Sequence, residues 1–272
     1  MILAGFILLA VGAADLVRQF APRRWIGYLA AVVVLLLLGS VSDALLPMIA
    51  ALVAGALWIW CMPDDRPSPA GFWPAVILGL IVIGAVIWTG GRANAGLIGE
   101  VWQLRSPFGE VSFDLAMLVL GLSAFLLESA NLVVRAALDG EHTWRPAEQV
   151  AEQAPAPQPA ADSTAADSTT DGSTVDDSTE AAAVATIADP RSGFKGGRLI
   201  GPLERMLVLI LTLAAAYPIL AAMLAAKGIV RFPEISRDGE TGARAEYFLV
   251  GSLVSWVIAL GGAFLVWWAA HS

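Results

Sequence analysis

The largely apolar run at 113–138 contains Glu128, Asn131 and Arg135. Spacings of three, four and seven place them on one face of a helix. A carboxylate, an amide and a guanidinium in a row can hold helices together as a buried polar seam. They can equally relay a proton, pass an ion or touch a polar substrate. An ionisable group inside a membrane costs about 2.5–3.5 kcal/mol on insertion scales, so each one needs a partner or a task. Glu128 stands two turns from Arg135, so pairing them requires Asn131 or another helix between. Asp15, with Arg18 one turn on, is expected to mark a membrane interface. Asp114 is expected at the start of a helix, where a carboxylate is favourable.

A second set of charges lies near the C-terminus: Arg198, Glu204 and Arg205, then Lys227, Arg231 and Glu234, then Glu246. Read as one continuous helix, 203–226 rises about 30 Å. That puts Glu204 and Arg205 on one membrane face and Lys227, Arg231, Glu234 and Glu246 on the other. The two groups then share a site only if the helix breaks, and Tyr217-Pro218 is where a kink is expected. Charge anchoring of a helical hairpin is the simplest use of these residues. Binding of an anionic headgroup by Lys227, Arg231 and Glu234 is the chemical alternative. Gly251, Ser255 and Ala259 recur every four residues, a small-residue stripe that lets a helix approach closely. Its expected partner is the alanine row Ala214, Ala215, Ala222 and Ala226.

The elements that must position these groups are membrane spans. Of the 272 residues, 57% are hydrophobic and 15% charged, against about 25% charged in a soluble domain. The apolar residues come in blocks without strand or helix alternation, and blocks of about 18 or more read as spans. Seven are expected, at 2–16, 25–38, 44–62, 72–89, 113–138, 203–226 and 247–269. The fold class is therefore all-α: a polytopic membrane helix bundle of five spans, then a linker, then two. The first span lacks a basic residue before it and is expected to stay in place, although Val11-Gly12-Ala13 would serve as a cleavage signal. Residues 39–43 form a tight polar turn, 63–69 a loop, and 96–104 a segment along the interface. Trp25, Trp58, Trp60, Trp73, Trp88, Trp267 and Trp268 fall near span ends, where amphipathic rings prefer the headgroup zone.

Between the two blocks, 139–194 is rich in Ala, Pro, Ser, Thr and Asp. Residues 147–189 hold nine acids and no base, so the net charge of −8 belongs to this segment and the rest of the chain carries +1. Such a stretch cannot bury enough apolar surface to offset its chain entropy, and reads as a disordered acidic tether that binds neither nucleic acid nor anionic lipid. With seven spans, ten of the 16 basic residues share a face with the linker and six take the other. That favours a cytoplasmic linker in a bacterial plasma membrane, with the four basic residues of the last loop on the wrong side.

Other chemistries lack their residues. Cys61 is the single cysteine, so no intrachain disulfide or thiolate metal site forms. His142 and His271 lie outside the apolar blocks, which excludes a histidine-built haem or zinc site within the bundle. Phosphate-binding, dinucleotide, metalloprotease and nucleophile-elbow motifs do not occur, and no cofactor or metal is expected.

The pattern GRLIG-x-LER, then AAK, then RF-x-EI, then AEY-x-x-x-GS-x-x-S, running from Lys195 onwards, resembles the C-terminal hairpin of a bacterial integral-membrane family of unknown function. The resemblance implies a two-helix membrane hairpin and brings no activity with it. The expected function is a non-enzymatic scaffold or accessory subunit whose linker tethers or recruits a membrane or cytoplasmic protein partner. A transporter or channel component with a polar pathway near Glu128 is the second reading, and a membrane-embedded enzyme or lipid-headgroup binder the third.

Overall fold

Inside hydrocarbon every backbone N–H and C=O must be satisfied within the protein, so long apolar runs fold as helices. The computed structural model describes residues 1–63, 71–89, 96–106, 109–140, 197–236 and 243–272. Of residues 100, 105, 106, 109, 139, 140, 197, 198, 231–236 and 243–247 only the backbone is described. The acidic linker expected at 139–194 lies almost wholly outside the described residues.

The N-terminal block contains α1 (Ile2–Phe20), α2 (Arg24–Val41), α3 (Leu45–Cys61) and α4 (Trp73–Trp88). A short α5 (Gly96–Val101) and a two-residue antiparallel ladder of β1 (Arg105–Ser106) on β2 (Gly109–Glu110) follow. The block closes with α6 (Phe113–Ala124), a π turn (Phe125–Ser129) and α7 (Ala130–Gly140). Ser112 caps α6, its Oγ accepting from the Leu115 N–H at 3.2 Å, and Asp114 sits in the first turn as expected. Among the described residues, four helices are long and apolar enough to cross a membrane: Ile2–Phe20, Arg24–Val41, Phe113–Leu138 and Phe248–His271. Leu45–Cys61, Trp73–Trp88 and Tyr217–Val230 are apolar but shorter. The outward faces of these helices, Leu29, Val33, Leu46, Leu57, Leu80 and Val257 among them, present large apolar side chains to their surroundings. That belongs to a multi-pass membrane protein, in which the bilayer covers them.

The first helix is the centre of the bundle. Phe6 and Val11 are fully buried, and glycines bring its backbone against that of α6. A Cβ on Gly5 would fall 2.7 Å from the Leu118 nitrogen, and one on Gly121 would fall 2.2 Å from the Gly5 oxygen. Further along, Gly12 meets Ala124 and Phe125, so α1 and α6 run parallel. The residues that could be read as a cleavage signal thus lie in the middle of a tight interhelical contact. Gly55 of α3 faces Ala10, and the C-terminal end of α4 returns to Met1, whose amino group donates to Thr89 Oγ1 at 2.6 Å.

The C-terminal block departs from expectation. Residues 203–226 are two helices, α8 (Gly197–Leu213) and α9 (Tyr217–Ser236), followed by α10 (Ala243–His271). Pro218 explains part of the break, since its ring would clash with the Ala214 carbonyl in a continuous helix. The stop itself is a Schellman motif: Ala216 N–H donates to Leu211 O at 2.9 Å and Ala215 N–H to Thr212 O at 3.1 Å. Ala215 occupies the left-handed position, φ 53°, that glycine usually fills. The same pattern ends α2, with Ala44 N–H on Gly39 O and Asp43 at φ 50°. Ala214, Ala215, Ala222 and Ala226 are exposed, so they are not the partner of the small-residue stripe. Gly251 instead faces Val134 and Leu138 of α7, while Ala259 packs with Val208 and Leu220.

Replacing Ala215 with glycine tests this reversal. A left-handed alanine carries about 1–2 kcal/mol of strain, so Ala215→Gly should raise the melting temperature of the detergent-solubilised protein. In an unbroken helix the same change would lower stability by about 0.5–1 kcal/mol, and a lower melting temperature would count against the turn.

Candidate functional site

Reversal at Ala215 brings together charges that a straight helix would separate. Glu204 precedes the turn residue by eleven positions and Lys227 follows it by twelve, so the two meet across the hairpin. Lys227 Nζ donates to both carboxylate oxygens of Glu204, at 2.7 and 2.6 Å. Trp256 of α10 donates its indole N–H to Glu204 Oε1 at 2.7 Å. The ammonium also stands 5.5 Å from the Trp256 ring centroid and 5.6 Å from that of Phe248, within cation–π range. Glu204 and Lys227 therefore belong to one site.

Arg205, the next residue, points the other way, into the bundle. It is 2% exposed, and its guanidinium touches three elements. Nε donates to the Leu126 carbonyl at 3.0 Å, Nη1 to Ser255 Oγ at 3.4 Å, and Nη2 to Asn131 Oδ1. Leu126 lies in the π turn, whose register places the Ala130 N–H on Phe125 O. A π turn disturbs the regular ladder and offers a carbonyl to an outside donor. The side-chain amide of Asn131 meanwhile donates to Leu127 O at 3.3 Å, which holds its oxygen toward Arg205. Glu128 lies near enough to act electrostatically on the same guanidinium. Of the expected row Glu128, Asn131 and Arg135, Asn131 and Glu128 are thus gathered around Arg205 from another helix, and Arg135 is exposed. The side chains of Arg198, Arg231, Glu234 and Glu246 lie outside the described residues.

A second polar cluster sits on the opposite side of the π turn. Asp15 is 1% exposed, packed within the protein. Its Oδ2 accepts from the Trp58 indole N–H at 2.8 Å and its Oδ1 from Arg18 Nη1 at 3.3 Å. Trp58 is accordingly buried, at 3% exposure, and does not belong to the aromatic belt; Trp60 and Trp88 do extend outward. Arg18 goes on to cap α3, donating to Met62 O at 2.8 Å and to Ile59 O at 3.1 Å. The second of these follows from the sequence: residue 63 is proline, which has no N–H to offer the carbonyl four positions earlier. The cation also meets the negative end of the α3 dipole. Ser129, at the end of the π turn, lies beside the Asp15 carboxylate. It is fully buried, and its Oγ has no hydrogen-bond partner among the described residues. Those residues contain no group of three or more His, Cys, Asp or Glu side chains able to hold a metal ion.

Reading spacing within single helices misses Asp15, Trp58, Ser129, Ser255 and Trp256, because each acts across helices. Two signals were present: Pro63 at the end of α3, and a serine in the small-residue stripe. No family model matches this chain, and neither a curated protein nor a solved structure does.

Arg205→Met should lower the melting temperature in detergent, because Leu126 O, Asn131 and Ser255 lose their donor. Each buried polar group left unpaired costs about 1–3 kcal/mol. Pairing that change with Asn131→Ala in a double-mutant cycle should give a coupling of about 0.5–3 kcal/mol. An Arg205→Met protein that melts at or above the parent temperature contradicts this role.

Proposed function

We propose that the protein is a non-enzymatic membrane scaffold or accessory subunit of the bacterial plasma membrane, with the acidic linker as its tether or partner-recruiting segment. One observation carries this reading: the buried charges are spent on joining helices. Arg205 ties α8 to the π turn, α7 and α10; Glu204 ties α8 to α9 and α10; Asp15 and Arg18 tie α1 to α3. Groups fixed in this way by neighbouring helices suit a rigid platform better than a turnover site. The linker sequence carries nine acids and no base between residues 147 and 189, and an acidic segment suits recruitment of a basic partner.

A second reading has an observation of its own. Glu128 is half-buried beside Arg205, so two ionisable side chains stand together within the bundle. These groups would line a transport pathway if one existed at this level. Reconstitution separates the two: Glu128→Gln should leave the ion permeability of proteoliposomes at the level of the parent protein, whereas a pathway predicts a change.

Purification under mild solubilisation is the direct test of the scaffold reading. The full chain should bring a stoichiometric partner with it, and a chain lacking 147–189 should lose that partner while remaining folded. Isolation of the full chain as a lone, stable monomer contradicts the proposal.

A further inference from the structure

We infer that α8 and α9 form a re-entrant hairpin that enters and leaves the membrane on the linker's face, and that this face is cytoplasmic. The chain then crosses six times, and its two ends share the opposite face. Two independent observations lead here, neither of which depends on the scaffold reading.

The first is the hairpin's depth. The arms between Glu204 or Lys227 and the turn at Ala215 rise about 16–18 Å at about 1.5 Å per residue, roughly half of the ~30 Å hydrocarbon core. The apolar stretch 206–226 is long enough for one crossing. Folded at Ala215, it reaches the midplane and returns. The Glu204–Lys227 pair closes the hairpin at its polar mouth.

The second is the direction of α10. Gly251, early in α10, faces Leu138 and Val134, late in the α6–α7 segment; Gly262 faces Leu122, earlier in that segment. Therefore α10 runs antiparallel to the segment that leads into the linker. It begins on the linker's face and ends on the other. Since α8 also begins at the linker, the intervening α9 must end on the face where α8 started. A seventh crossing would put α10 parallel to α6–α7, contrary to these contacts.

This arrangement removes the conflict in the charge pattern. Lys227, Arg231, Arg237 and Arg244 join the ten basic residues already on the linker's face. Fourteen of the 16 then lie there, and Arg92 and Arg105 alone lie opposite. A bias of that size is what the positive-inside rule requires of a cytoplasmic face, and the last loop no longer opposes it.

Labelling of the full chain in bacterial cells decides the matter. With Cys61→Ser as background, single cysteines are introduced as Ala93→Cys, Ser192→Cys, Gly239→Cys and Ser272→Cys. A membrane-impermeant maleimide is then applied to intact cells, and to lysed cells as the measure of total reactive protein. Ala93→Cys and Ser272→Cys should label in intact cells; Ser192→Cys and Gly239→Cys should label only after lysis. Labelling of Gly239→Cys in intact cells overturns the inference, however Ser192→Cys behaves. Protection of Ser272→Cys until lysis overturns it as well, because α10 would then end on the cytoplasmic face.

Discussion

Arg205 reaches from α8 to a backbone carbonyl in the π turn, and in doing so engages an amide on α7 and a hydroxyl on α10. A guanidinium is suited to this position: its donors are fixed in a plane and it stays charged, so it can serve acceptors in several directions at once. Without the turn at Phe125–Ser129 the regular ladder would occupy the carbonyls on that face. Without the guanidinium, three polar groups would face hydrocarbon unpaired. The π turn and the arginine therefore require one another, and together they attach the hairpin to the main bundle.

The same turn divides the interior polar groups into two clusters. Facing α8 are Asn131, Arg205 and, beyond them, Glu204, Lys227 and Trp256. Facing α1 and α3 are Ser129, Asp15, Arg18 and Trp58. Both lie toward the end of the α6–α7 segment that leads into the linker. Toward the other end, glycines bring backbones together, with Gly5 and Gly121 drawing α1 against α6. Close approach and hydrogen bonding are the two forces available to helices in lipid, where burial of apolar surface gives no net attraction. This protein uses both.

Helix positions were legible in the sequence because they depend on local properties: length, apolarity and breakers. Helices α1, α2, α3, α4 and the α6–α7 segment begin and end within a few residues of the first five expected stretches, although α3 and α4 are shorter than a full span. The reversal at Ala215 was not legible as a turn, because alanine fills a position normally marked by glycine and the surrounding residues remain apolar. Only Pro218 hinted at it, and the consequence reached far: Lys227 moved from the opposite membrane face to contact with Glu204. The pairing of Asp15 with Trp58 was missed for a different reason. Each looks interfacial when read along its own helix, yet each satisfies the other across two helices. Asn131 was found because periodicity places it on the right face, but its partner comes from 74 residues away in the chain. Pairings of that kind are set by packing and leave no local trace.

The fold-back of α8 on α9 is the claim from which the Glu204–Lys227 contact and the membrane topology follow. Dipolar electron paramagnetic resonance between spin labels at Leu203→Cys and Ile229→Cys, in the Cys61→Ser protein in nanodiscs, measures it directly. Adjacent antiparallel helices lie about 8–10 Å apart axis to axis, so the labels should fall within about 20 Å of each other. An unbroken helix would hold the same positions about 39 Å apart, and a distance near that value would contradict the account.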